Sequence, residues 1–130
     1  MASVFLPDAV TVVMRDVAAT YPIPAQVEPT AAGGDVVWIT SDSWSRAGIR
    51  IDGALPPAEQ IADVADQIAD WLVESLPGAG CPAVWPVCPL HPGSHPMQTR
   101  VVDAVAVWTC PVSGDTVAAV GSLPMAVGEA

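Results

Sequence analysis

The sequence contains no lysine and no asparagine, and its four arginines stand against fourteen carboxylates, giving a net charge of −10 over 130 residues. Phosphate backbones are held by clustered Lys and Arg that displace counterions, so no nucleic acid is expected as a partner. The acids are scattered from Asp8 to Glu129 and read as solvated surface that keeps the chain soluble. Although 52% of the residues are hydrophobic, much of this is Ala and Val. No run approaches the roughly 18 apolar residues of a membrane helix, so no membrane is expected either. The opening MASVFLPDAV carries no basic stretch, and Pro7 and Asp8 interrupt its apolar segment, so a secretory leader is not expected. Cysteine is scarce: there are three, an odd number that suits a disulfide framework poorly and favours a reducing compartment. The expected location is the cytoplasm, or a particle assembled there. Also missing are the H-E-x-x-H helix of zinc proteases and the H-x-E with P-C-x-x-C of zinc deaminases. Gly78-Ala-Gly80 follows a helical pattern, whereas a phosphate-binding glycine run follows a strand, so no small-molecule substrate is identified.

What is present fits one domain. Residues 8–20, DAVTVVMRDVAAT, place Val10, Val13, Met14 and Val17 at helical spacing; a strand is the alternative, because Val10 to Val13 is β-branched throughout. Three prolines make residues 21–34 mostly loop, with an edge strand near Gln26. DVVWIT, residues 35–40, reads as a strand covered on both faces, followed by a polar turn over 41–48. GIRID, residues 48–52, reads as its hairpin partner with one face in water. Pro57 to Leu76 is the strongest helix: Ile61, Val64, Ala65, Ile68, Leu72 and Leu76 form one stripe, opposed by Asp63, Asp66, Gln67, Asp70 and Glu74. That acidic row is either a face for a basic partner or ordinary solvated surface. Gln98 to Val102 and Val105 to Thr109 flank Asp103-Ala104 as a two-residue hairpin, although Ala is an uncomfortable residue in a type I′ turn. Thr116 to Val120 reads as a third strand.

All cysteines and histidines fall between Cys81 and Cys110. Two residues separate Cys88 from His91, three separate His91 from His95, and the prolines between them favour tight turns. Zinc takes four thiolate or imidazole ligands in a tetrahedron, often in such closely spaced pairs. The expected ligands are Cys88, His91, His95 and Cys110, with Cys110 arriving across the 98–109 hairpin and Cys81 as a substitute. Alternatives are that the cysteines are buried small hydrophobes, or that two of them, such as Cys88 and Cys110, form a disulfide.

From Cys88 to Gly114 the chain resembles a zinc ribbon, a family in which two knuckles on neighbouring β-turns hold one structural zinc. Cys110-Pro-Val-Ser113-Gly114 is similar to the family's C-P-x-C-G knuckle, with Ser113 at the place of a ligating Cys. The resemblance implies a structural metal module, whose fourth ligand must then come from His95 or Cys81.

Five candidate ligands for four positions suggest a closed site. Asp103 is the sole carboxylate between Cys81 and Cys110, which leaves catalysis without an obvious base. Trp38 and Trp71 are expected in the core and Trp85 over the metal site, with Trp44 as the exposed aromatic suited to a contact. The expected architecture is α+β: an N-terminal helix, a β-hairpin, a long acidic amphipathic helix and a C-terminal zinc-clasped β-hairpin. Residues 1–80 form the core region, 81–123 the Cys/His β region of the same domain, and 124–130 a tail. The expected function is a non-enzymatic acidic interaction or assembly module with a protein partner or self-assembly. A structural component of a phage virion or other large particle is one alternative, and a small zinc-dependent hydrolase is another.

Overall fold

A computed structural model describes residues 8–21, 25–28, 36–41, 45–80, 83–91 and 95–124. Two helices and two antiparallel three-stranded sheets make up an α+β architecture. Helix α1 spans Asp8–Thr20 and α2 spans Pro57–Ser75. On α1 the residues Ala9, Val10, Val13 and Val17 are buried along one stripe, and helical spacing wins over the β-branched run because that stripe has α2 to pack against. On α2, Val64, Ala65, Ile68 and Leu72 are buried. Pro57 opens the helix, and a single 3₁₀ turn at Pro77–Ala79, ending on Gly80 at φ +78°, stops it.

The first sheet has the order β1 (Ala25–Val27), β2 (Val36–Ser41), β3 (Ser45–Arg50). In the β2–β3 hairpin Val36 pairs with Arg50 and Ser41 with Ser45. The expected second strand, 48–52, therefore lies three residues too late at its start. The pairing runs up to Ser45 and shortens the turn that was expected over 41–48. Strand β2 was also expected to be covered on both faces, and it is not. Val37 and Ile39 are buried, but Trp38 on the opposite face is 38% exposed. Its ring lies across β3, where a Cβ on Gly48 would come within 3.1 Å of it, and the Arg46 guanidinium sits 3.9 Å above its centroid. Arg46 in turn donates to Glu28 at 2.7 Å. That bond, more than the charge alone, holds the Glu28 carboxyl below its usual range, against the pull of desolvation. Trp38 is thus a surface tryptophan stacked by an arginine, and Trp71 is half-buried against the core.

The second sheet has the order β4 (Gln98–Val102), β5 (Val105–Thr109), β6 (Thr116–Ala119). Its first hairpin turns at Asp103 and Ala104, with φ +51° and +62°: both central residues take the positive φ that a type I′ turn demands. Helix α2 contacts α1, β3, β4 and β5. Gln67 accepts from the Arg50 N–H and donates to the Arg50 carbonyl, both at 2.8 Å, so at the last residue of β3 a side chain takes the place of a pairing strand. The Thr99 hydroxyl donates to Asp66 at 2.8 Å. Part of the acidic row of α2 is therefore engaged within the molecule.

One acid does not lie on the surface as expected. Asp16 is fully buried and accepts from the Trp108 indole N–H at 2.7 Å, the Gly121 N–H at 2.7 Å and the Leu123 N–H at 2.9 Å. These bonds tie α1 to β5 and to the segment after β6. Gly121, at φ +96°, lies so near Val12 that a Cβ would come within 2.6 Å of its side chain. Among the described residues no helix is long and apolar enough to cross a membrane.

Candidate metal centre

Three short segments build the site. Residues 86–88 run antiparallel to 95–97: Val87 bridges Pro96, the Met97 N–H donates to the Pro86 carbonyl at 2.8 Å, and the Cys88 N–H donates to the His95 carbonyl at 3.2 Å. This pairing sets Cys88 beside His95. Between them the His91 N–H donates to the Cys88 carbonyl at 3.3 Å, a turn that Pro89 favours by fixing φ, and it folds the His91 ring back toward Cys88. The third segment leaves β5 at Cys110. There the Gly114 N–H donates to the Cys110 carbonyl at 2.8 Å, and the Cys110 N–H to the Asp115 carbonyl at 2.9 Å.

The result is a convergence of Cys88, His91, His95 and Cys110, with their ligand atoms all within 4.8 Å of one another. His95 Nε2 lies 3.1 Å from His91 Nδ1, Cys110 Sγ lies 3.4 Å from His91 Nδ1 and 3.9 Å from His95 Nε2, and Cys88 Sγ lies 3.9 Å from His91 Nδ1. Tetrahedral zinc with bonds of about 2.0–2.3 Å separates neighbouring donors by about 3.3–3.8 Å, and the observed spacings bracket that range. The four residues lie close enough to hold one metal ion. Both cysteines are free and fully buried, and both histidines are half-buried. Cys88 and Cys110 are not joined as a disulfide. Cys81 and the predicted contact residue Trp44 fall outside the described residues.

Hydrogen bonding prepares the donors. His95 Nδ1 sits 3.0 Å from the Pro96 carbonyl; a carbonyl only accepts, so Nδ1 carries the proton and Nε2, which faces the cluster, presents its lone pair. Burial alone would raise the pKa of Cys110, but donation from the Ser113 hydroxyl, from the N–H groups of Ser113 and Val112 and from the Cys88 thiol outweighs it and brings the value to about 6. A thiolate is the form that binds metal.

Trp85 was expected to cover this site. It is buried, yet its N–H donates to Thr20 Oγ1 at 3.0 Å and its ring meets Trp108 edge-on at 5.6 Å, so these contacts belong to the core beside α1. Asp16, which anchors that core, was not singled out in the sequence. It carries a signal: within 8–20 it falls on the apolar stripe, three residues after Val13 and beside Val17, where a solvated acid has no place. No protein-family model, curated protein or solved structure matches the chain.

Proposed function

We propose that the chain is a small, non-enzymatic interaction or assembly module whose Cys88, His91, His95 and Cys110 bind one structural zinc in a ribbon-like loop region. The observation that carries this reading is the convergence of two thiols and two imidazoles at near-tetrahedral spacing. That donor set and geometry suit zinc, whereas magnesium and calcium take oxygen donors. Four protein donors leave no position for water, and the cluster contains no carboxylate among the described residues. A catalytic zinc keeps a position open, so these features favour a structural ion over a hydrolase. Zinc bound here would join the paired segments 86–91 and 95–97 to the turn after β5, and so would substitute for apolar core that a chain of this length lacks.

The interaction reading draws on the same loops. Val87, Leu90 and Val112, next to or near the ligands in sequence, are 49%, 49% and 72% exposed, and exposed apolar side chains of this kind suit burial against a protein neighbour. A partner protein or further copies of the chain fit this surface, and a component of a virion or another large particle is a specific form of the same idea.

Native mass spectrometry of protein purified without chelator tests both parts. The expected spectrum shows one zinc per chain, lost when Cys88 and Cys110 are both replaced by Ser. A bare mass with free thiols would reject the zinc. A chain that stays strictly monomeric and captures no partner at high concentration would count against assembly.

A further inference from the structure

Cys88 and Cys110 reach the cluster from different parts of the chain, Cys88 beside the Val87 to Pro96 bridge and Cys110 directly after β5. Both thiols are free, and their sulfurs lie within 4.8 Å of each other. A disulfide holds its sulfurs about 2.0 Å apart, so the two have at most about 3 Å to close. Neither cysteine lies inside a helix or a strand, and the approach can be shared between two irregular segments. Both side chains are fully buried, yet each is followed directly by exposed residues, Pro89 and Leu90 after Cys88, Pro111 and Val112 after Cys110. The His91 ring that meets both sulfurs is half-buried. The pair is thus shielded from bulky reagents and only a short way below the surface for a small neutral one.

We propose that Cys88 and Cys110 are a redox switch of the metal centre: hydrogen peroxide joins them as a disulfide, and the metal is released. The inference rests on the zinc reading of the site. One thiolate sulfur attacks a peroxide oxygen, the O–O bond breaks, and a sulfenic acid and hydroxide result. The second thiolate attacks the sulfenic sulfur, the S–O bond breaks, and hydroxide leaves again. Two protons from solvent convert both hydroxides to water, and two electrons have passed from the sulfurs to the peroxide.

Proximity separates this outcome from damage, because a sulfenic acid without a thiol in reach continues to sulfinic acid, whereas one beside a second sulfur is trapped as a reversible disulfide. The thiolate is the form that binds metal, so the disulfide leaves two imidazoles of the four donors and the ion is no longer held. A dithiol reductant restores both thiols by exchange while its own sulfurs are oxidised. Oxidation thereby unties the segments that carry Leu90 and Val112, and makes the exposed surface proposed for a partner responsive to oxidant.

The test treats the full zinc-loaded chain, as wild type and as Cys81→Ser, with hydrogen peroxide. Released zinc is read with a chromophoric indicator, and mass spectrometry of the alkylated, digested protein assigns the sulfur products. The expected result is the loss of one zinc per chain in step with a disulfide between Cys88 and Cys110, identically in both proteins, and recovery of both thiols and of zinc binding after dithiothreitol and added zinc. If Cys81→Ser does not fold, the wild type decides, since the digest identifies the paired cysteines. Zinc retained under peroxide would overturn the switch, as would release accompanied by sulfinic acid at either cysteine or by a disulfide to Cys81; the zinc reading would stand in each case. A chain that holds no zinc before oxidant is added would reject the zinc reading, and the switch with it.

Discussion

At Asp16 a single carboxylate accepts from one indole and two backbone N–H groups within a fully buried setting. A buried polar group is tolerable when each of its neighbours gains a partner, and costly when one side of the arrangement is deleted. The Asp16→Ala variant would strand three donors. We expect it to lower stability by about 3 kcal/mol or more, read as the shift in the urea midpoint, with Trp108 fluorescence reporting the loss of its indole partner. Destabilisation below about 0.5 kcal/mol would mean that water replaces the carboxylate. The same region explains Gly121, because only a residue without Cβ fits beside Val12 at that φ.

Helix α2 is amphipathic in the ordinary sense, yet its polar side is more than solvated surface. Gln67 caps Arg50 at the end of β3, and Asp66 receives Thr99 of β4. Loss of water at that contact, reinforced by Asp70 and Asp63, raises the Asp66 pKa above its ordinary value, and the Thr99 hydroxyl opposes the rise. An acid with a raised folded pKa binds protons more readily in the folded state. Its ionised form therefore carries a cost at neutral pH, and that cost disappears as the pH falls through and below the carboxylate range. Asp66→Asn keeps an acceptor for Thr99 and removes the charge. The expected result is a small gain in stability at pH 7, about 0.5 kcal/mol or less after solvent screening, vanishing in acid where wild-type Asp66 is already protonated. Thermal melts of both proteins at neutral and acidic pH check this. A gain that persists unchanged in acid would point to a cause other than charge.

For the molecule as a whole, the apolar core runs from α1 through α2 to Trp85, Cys88, Trp108 and Cys110, so two of the four candidate ligands belong to it. Helices α1 and α2 carry continuous backbone hydrogen bonding, whereas Cys88, His91, His95 and Cys110 lie on irregular segments outside the helices and strands. If the chain binds zinc as proposed, removing it with a chelator should therefore act unevenly. Hydrogen exchange is expected to lose protection first at the amides of Cys88, Met97 and Gly114, with the amides of Val64 to Leu72 still protected. Simultaneous loss at both sets would show that metal and core form one cooperative unit.

Periodicity made the helices legible: five apolar residues of α2 at helical spacing, and the stripe of α1, are statements about one face, and one face is what packing selects. The β4–β5 hairpin was legible for a similar reason, since five residues on each side of Asp103-Ala104 leave little choice of register. The four donors were legible too, because cysteine and histidine are so few here that their clustering narrows the possible site. The start of β3, the open face of Trp38 and the burial of Asp16 depend instead on which distant residues arrive opposite them: Ser41 across from Ser45, Arg46 over the indole, Trp108 and Gly121 against α1. Local sequence encodes the preferences of a segment, and it does not encode its neighbours across the fold. Composition and spacing alone thus determined an acidic α+β chain with one Cys/His cluster. Tertiary structure alone decided how closely the four donors approach one another and that one acid belongs in the core, because both depend on groups brought together by folding.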